Sequence, residues 1–253
     1  MDKLDYLIEG LLKEGLRLPG YDKPVTFEEK KAYFRGLRNI RDPKPISEEY
    51  LRVQDEYLKE EVKARGIFDE KDIPFNLDII SIWQGDITTL KCDAIVNAGN
   101  DSALGCFEPN HNCIDNIIHS YAGIQLRNDC HKIMKGDYLD IGQVILTSAY
   151  NLPCNYVLHT AGPIADYPIS KQDCLDLESC YYSCLELAKK QGLRTIAFPC
   201  ISTGVFGFPK DEASKIAIST VRKYLKKYSY AFDHIIFNVF TDEDKKLYTK
   251  SLK

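Results

Sequence analysis

Cys106, His111 and Cys113 lie close together in the stretch Gly99 to His119, GNDSALGCFEPNHNCIDNIIH. Thiolates and imidazole are ligands that a zinc ion prefers, and three of them leave one tetrahedral position for water or substrate. The chain has nine cysteines, so the spacing alone leaves both a metal loop and an ordinary loop open. Two features favour the metal. Gly105 and Pro109 can shape a tight loop, and the polar run Asn110, His111, Asn112 does not suit a packed core segment. Asp115 follows two residues after Cys113. By itself it reads as a first-turn aspartate favoured by the helix dipole, although a carboxylate there can also take a proton from water.

A second candidate is Pro199 to Pro209, PCISTGVFGFP. Ser202, Thr203, Gly204 and Gly207 can offer successive N–H groups to an anion if a helix from Lys210 follows directly. It is neither a dinucleotide fingerprint nor a P-loop, and an ordinary turn competes with the anion site. Asp86 reads as a turn residue or helix cap, Asn100 as a turn residue beside Gly99, and Phe240 as core. His159, on an apolar run, reads as a hydrogen-bonded structural histidine. His119 reads as a helix residue near the site and not a ligand, and Cys200 as a small buried residue. Cys92, Cys130, Cys154, Cys174, Cys180 and Cys184 show no complete metal spacing.

These groups need a scaffold, and the pattern from Phe75 onward supplies one. Strands are predicted at Ile79 to Trp83, Asp93 to Ala98, Gly142 to Ala149, Tyr156 to His159, Thr195 to Phe198 and His234 to Phe240. Helices are predicted over Cys113 to Tyr121, with Ile114, Ile117 and Ile118 inward, over Asp173 to Gln191, and over Lys210 to Tyr228. Strands alternating with helices make a layered α/β domain at 76–253, and its ligands belong at strand ends. Residues 1–75 differ in kind. Leu4, Leu7, Ile8, Leu11 and Leu12 have helical spacing. Thr26 with Glu29 forms a capping box, Ser47 caps a further helix to about Arg65, and Ile67 to Pro74 reads as a linker. This extension carries no evident chemistry, and its apolar faces need a partner, most simply the main domain.

Composition narrows the function classes. A net charge of -4 gives no reason to expect nucleic acid. No run is long enough to span a membrane, and the start MDKLDYLIEGLLKEG lacks the marks of a signal peptide. An odd, dispersed set of cysteines fits reduced thiols in the cytoplasm.

Four motifs in order, GDIT at Gly85–Thr88, IVNAGN at Ile95–Asn100, HTAGP at His159–Pro163 and ISTGVFGFP at Ile201–Pro209, resemble the macrodomain family over roughly Ile80 to the end of the chain. The resemblance implies a three-layer α/β/α sandwich with a mixed central sheet. It also implies an ADP-ribose site and a hydrolase that removes ADP-ribose from proteins. GCFEPNHNCIDNIIH replaces the family's glycine run, and this is similar to the zinc-containing microbial branch, which also carries a helical N-terminal extension. From that similarity come Zn2+ on Cys106, His111 and Cys113, and catalytic roles for Asp115 and Asn100. Asp86 becomes the acceptor for adenine and Ile87 the packing against the nucleoside. Asn100 sits near the distal ribose, and Ser202, Thr203, Gly204, Val205, Phe206 and Gly207 line the diphosphate and ribose. Asn238 and Phe240 fall where family members contact adenine. The implied partners are an ADP-ribosylated protein, a lipoyl-carrier protein among the possible substrates, and a functionally linked sirtuin-type ADP-ribosyltransferase. Two other activities use the same pocket: a non-catalytic ADP-ribose-binding module and an O-acetyl-ADP-ribose deacetylase.

Overall fold

The computed structural model describes residues 2–253. Six strands form the central sheet: β2 (Ile80–Gln84), β4 (Ala94–Gly99), β5 (Val144–Ser148), β6 (Tyr156–Ala161), β7 (Thr195–Phe198) and β8 (His234–Val239). Their order is β2-β8-β7-β4-β6-β5. Neighbours are parallel except for β5, which runs antiparallel to β6, so the sheet is mixed.

The strands alternate apolar residues between two covered faces, as the two-residue period of a strand requires. On one face Val96, Leu158, Phe198, Ile235 and Phe237 pack against α6 (Lys171–Lys190), α7 (Lys210–Lys227) and α8 (Asp242–Leu252). On the other, Ile95, Val157, Ala197 and Ile236 meet Ile118, Ala122 and Leu126 from α4 (Ile114–Ala122) and α5 (Ile124–Met134). Helices on both faces give the three layers. No described helix is long and apolar enough to cross a membrane.

Before this body come α1 (Lys3–Lys13), α2 (Phe27–Asn39) and α3 (Glu48–Arg65). The Thr26–Glu29 capping box forms, and Ser47 caps α3. The apolar stripes are satisfied differently from the expectation. Leu4, Leu7, Leu11, Phe34, Leu37 and Leu58 pack on one another, and Ile124 is the one buried residue of the α/β body in their cluster among the described residues. The joint to the body is polar: Gln54 bonds the Ile124 N–H and the Gln125 side chain, and Asp55 accepts from Gln125 and Asn151.

The segment read as a linker is structured. Strand β1 (Phe68–Asp69) pairs with β3 (Leu90–Lys91), and Glu70, in a short 3-10 turn, contacts His234 Nδ1 at 2.6 Å. Its main-chain groups have partners that only folding brings near. A chain starting at Phe75 should therefore unfold at a lower temperature with little gain in apolar-dye binding, because it loses mainly polar and strand partners, its apolar losses in the body being Ile73 and the cover of Ile124. Thermal unfolding followed with such a dye checks this; strong dye binding would restore the apolar-cover expectation.

Candidate active site

Five parallel strands point their C-terminal ends to one edge of the sheet, where ligands of such sheets bind. Gly85 and Asp86 follow β2 there, Asn100 follows β4, Gly162 follows β6, the Pro199–Pro209 loop follows β7, and Phe240 follows β8.

The loop that carries Cys106, His111 and Cys113 rises beside this edge. The ligand atoms of Cys106, His111 and Cys113 all lie within 4.8 Å of one another, and Cys106 Sγ is 3.6 Å from His111 Nδ1. Zinc bonds of roughly 2.0–2.3 Å put tetrahedral neighbours about 3.5 Å apart, so the donor set fits that ion. Gly105 has φ +83, and a Cβ there would strike the His119 ring. Cys113 is the N-cap of α4, with its sulfur 3.4 Å from the Asn116 N–H. Burial pushes the Cys113 thiol up to about 11, so a cation must displace its proton. Cys200 is elsewhere, with its sulfur 3.7 Å from the Asn238 carbonyl oxygen.

Asp115 sits in the first turn of α4 and is buried. Asn97 Nδ2 donates to its Oδ1 at 2.8 Å, and His119 Nε2 lies 3.6 Å from the same oxygen. Burial holds the carboxyl above its ordinary range, at about 6. Cross-strand register puts Asn97 directly beside His159. His159 Nδ1 faces Asn97 at 3.2 Å and Nε2 faces Thr147 Oγ1 at 2.9 Å. Burial pushes His159 down to about 3, so it is a neutral structural histidine, as expected. His119, Cys130 and His159 also bring ligand atoms within 4.8 Å. Here His159 already has a partner for each nitrogen and burial pushes the Cys130 thiol well up, which opposes a metal thiolate. Among the described residues, His119 has no hydrogen-bond partner for either ring nitrogen.

The exposed face of α4 differs from the sequence expectation. Ile118 is buried, but Ile114 and Ile117 are only half-buried, while Asp115, Asn116, His119 and Ser120 are buried. Helix α2 of the extension packs on α4 and covers a polar stripe that periodicity assigns to solvent. Arg35 reaches Asn116, and Asn39 reaches Ser120.

Asp86 is both a cap and an ion-pair partner. Its Oδ1 accepts from the Thr88 N–H and hydroxyl, and its Oδ2 lies 2.6 Å from Arg65 at the end of α3. The Arg65 guanidinium stacks on Tyr121, with its carbon 3.4 Å from the ring centroid. Ile87 is only 2% exposed and belongs to the core, so its side chain seats Asp86 and offers a ligand little surface. Phe240, expected in the core, is 78% exposed; it lies just past the end of β8, where the sheet no longer covers it. Asn238 is buried and donates to the Gly85 carbonyl, fixing the turn before Asp86. Asn100 donates to Gly105 O and accepts from Ser102 Oγ, which ties the start of the Cys106–Cys113 loop to β4.

The Pro199–Pro209 loop leads straight into α7, with Pro209 as its N-cap. Within it the N–H groups of Thr203, Gly207 and Phe208 bond loop carbonyls. Among the described residues, those of Ser202, Gly204, Val205 and Phe206 form no such bond, so of the set read from composition Ser202 and Gly204 keep free donors and Thr203 and Gly207 do not. Gly204 and Val205 are exposed, and Phe208 is buried and anchors the loop.

Sequence reasoning missed Arg35, Asn39, Arg65, Asn97 and Arg127. Arg127 is the largest omission. Its Nε donates to Leu104 O at 2.6 Å, and its Nη1 donates to the carbonyls of Arg38, Asn39 and Arg41. It lies 86 to 89 positions from the last three along the chain, so no local spacing announces it. Asn97, two residues before Gly99 in IVNAGN, was the accessible one: a polar residue at a buried strand position signals a buried partner.

The Macro domain family model matches residues 96–217. A protein-ADP-ribose hydrolase of Staphylococcus aureus is 47% identical over 98% of this chain and 94% of that protein. One of the same name from Treponema medium is 46% identical over 97% of this chain and 96% of its own length. Among solved structures, a Trypanosoma brucei macrodomain in complex with ADP-ribose is similar at a TM-score of 0.67 and 30% identity, covering 86% of this chain and 95% of that one.

Proposed function

The chain belongs to the Macro domain family and is a protein-ADP-ribose hydrolase; from that premise we propose that it removes mono-ADP-ribose from oxygen-linked side chains with a zinc ion held by Cys106, His111 and Cys113. One observation carries the reading: the buried Asp115 carboxylate starts the helix that Cys113 caps, so the base and the soft-ligand loop share one rigid support. When bound, zinc would supply Lewis-acid polarisation and orientation of an oxygen ligand.

The chain's own groups divide the remaining work. Asp86 accepts from the adenine amino group with the lone-pair capacity left on Oδ2, and exposed Phe240 offers the base a flat surface. The N–H groups of Gly204, Val205 and Phe206 face the diphosphate at the start of α7, where the helix dipole favours an anion. Ser202, Thr203 and Gly207 shape that loop. Asn100 orients the segment beside the distal ribose. Asp115 takes the proton from the attacking water, and Asn97 holds the carboxylate for it. Nine free cysteines suit a reducing cytoplasm. A lipoyl-carrier substrate and a partner sirtuin-type ADP-ribosyltransferase rest on the sequence resemblance to the zinc-containing branch.

Turnover of a mono-ADP-ribosylated protein tests the proposal, with O-acetyl-ADP-ribose in parallel. A faster rate on the small ester would favour the deacetylase, and binding without turnover on either would favour a reader module. Binding adds a prediction. ADP-ribose should bind in preference to AMP or NAD, and Asp86→Ala should weaken it by about 10-fold or more, the value of a hydrogen bond to a charged group, without lowering zinc content. Calorimetry with the three ligands checks this, and equal affinity of the variant and wild type for ADP-ribose would remove Asp86 from the site.

A further inference from the structure

The metal loop is held from outside itself. Between Leu104 and Cys113 its main chain is bonded chiefly by side chains of other elements. Arg127 serves the carbonyls of Leu104 and Cys106, and Asn116 serves those of Cys106 and Glu108. These fix the Cys106 arm from α5 and α4. Cys113 is fixed as the N-cap of α4.

The His111 arm is held by the extension. The Asn110 N–H donates to Asn39 Oδ1 at 2.9 Å, and Arg35 Nη2 donates to the His111 carbonyl at 2.6 Å. Both partners are on α2. Asn110 has φ +57, a left-handed conformation that a side-chain bond must help to hold. Gly36 lies between the two partners in sequence, and a Cβ there would come within 2.8 Å of Leu18 Cδ1 and 3.2 Å of Asn110 Nδ2. The missing side chain therefore makes room both for Leu18 inside the extension and for the Asn110 amide of the loop. Arg35 also donates to Asn116 Oδ1 at 2.9 Å, which links the anchors of the His111 and Cys106 arms.

We propose that α2 of the helical extension sets the zinc affinity of the site, with Arg35 and Asn39 as positioning residues that hold the His111 imidazole toward the two thiols. The inference rests on the zinc reading above. It gives the extension a role in the chemistry of the body although the extension contributes no ligand. The imidazole is the ligand most in need of such support, because the cysteines are tied to helices of the body and His111 is not.

The test is competition for zinc between the full-length protein and a chromophoric chelator, together with the visible spectrum of the cobalt(II)-substituted protein. Asn39→Ala and Arg35→Met should each weaken zinc binding by about 10–100-fold, the range for residues that orient metal ligands. Their cobalt spectra should keep the thiolate charge-transfer band and shift toward that of His111→Ala. Asn39→Asp keeps the acceptor for the Asn110 N–H but gives up the amide donor to Ser120 Oγ, and should weaken zinc binding less than Asn39→Ala does. Tyr50→Phe loses a hydrogen bond to the Leu7 carbonyl inside the extension, remote from the loop; it controls for general loosening and should leave zinc affinity unchanged. Wild-type affinity in Asn39→Ala and Arg35→Met, with weakened binding in His111→Ala, would overturn the role of α2 and keep the zinc site. Equal weakening in Tyr50→Phe would also overturn it, since any loosening of the extension would then suffice. A wild type that takes no zinc from the chelator would overturn the metal reading itself, and this inference with it.

Discussion

Asp115→Asn should lower turnover by about 10²–10⁴-fold, the usual contribution of a general base, while zinc content and ADP-ribose affinity stay near wild type. Asparagine matches the shape and can still accept the Asn97 amide that now bonds Asp115 Oδ1. It cannot take a proton. Metal analysis, calorimetry and single-turnover hydrolysis on the same preparation separate these effects. Unchanged turnover in a zinc-loaded variant would reject the essential-aspartate mechanism.

The same substitution has a stability signature of known sign. Burial raises the folded carboxyl from 3.8 to about 6, so the native state holds this proton more tightly than the unfolded chain does. The associated stability is fully present below about pH 4 and is lost as pH rises through about 6. Above that window wild type holds a buried charge that the asparagine variant lacks. The metal-free variant should therefore be more stable than metal-free wild type at pH 7, by about 3 kcal/mol, and the gap should close toward pH 4. Denaturant unfolding at the two pH values checks it. Wild-type turnover should fall as pH drops through about 6 and the base is protonated, or somewhat lower once a nearby cation favours the carboxylate. An active site built for chemistry at the expense of stability behaves in this way.

Cys113→Ser should reduce bound zinc from one per chain to a trace and turnover at least about 100-fold, as loss of a metal ligand does at least as much as loss of its support. The obvious confound is collapse of the loop, since Cys113 also caps α4 with its sulfur 3.4 Å from the Asn116 N–H. Serine addresses it directly. A serine hydroxyl is among the preferred N-cap acceptors, whereas it is a poor zinc ligand beside a thiolate. The helix start, and Asp115 with it, should persist while the soft donor is lost. Chelated wild type should then match the variant in turnover, and added zinc should rescue wild type alone. A metal-free wild type with full turnover would return Cys106, His111 and Cys113 to ordinary loop residues. A variant that loses activity but keeps zinc would locate the defect in the helix start.

The sequence by itself determined the layered body. All six sheet strands stand close to where their apolar runs put them, because a strand buried on both faces needs such a run whatever its neighbours are. The capping boxes and the Gly105 turn are likewise local, decided by residues within a few positions of one another. The closeness of Cys106, His111 and Cys113 is local too, since all three belong to one short loop. The tertiary structure decided what lies across long separations. Strand order and register brought Asn97 beside His159 and under Asp115. The extension turned its apolar faces inward on themselves and met the body with polar side chains, so α4 buries Asn116 and Ser120 where an isolated amphipathic helix would expose them. Arg65 reached Asp86, and Arg35 with Asn39 reached the Cys106–Cys113 loop. Such polar pairs have no period along the chain: each depends on two groups that only the packed fold brings within hydrogen-bond distance, and once buried each must be matched.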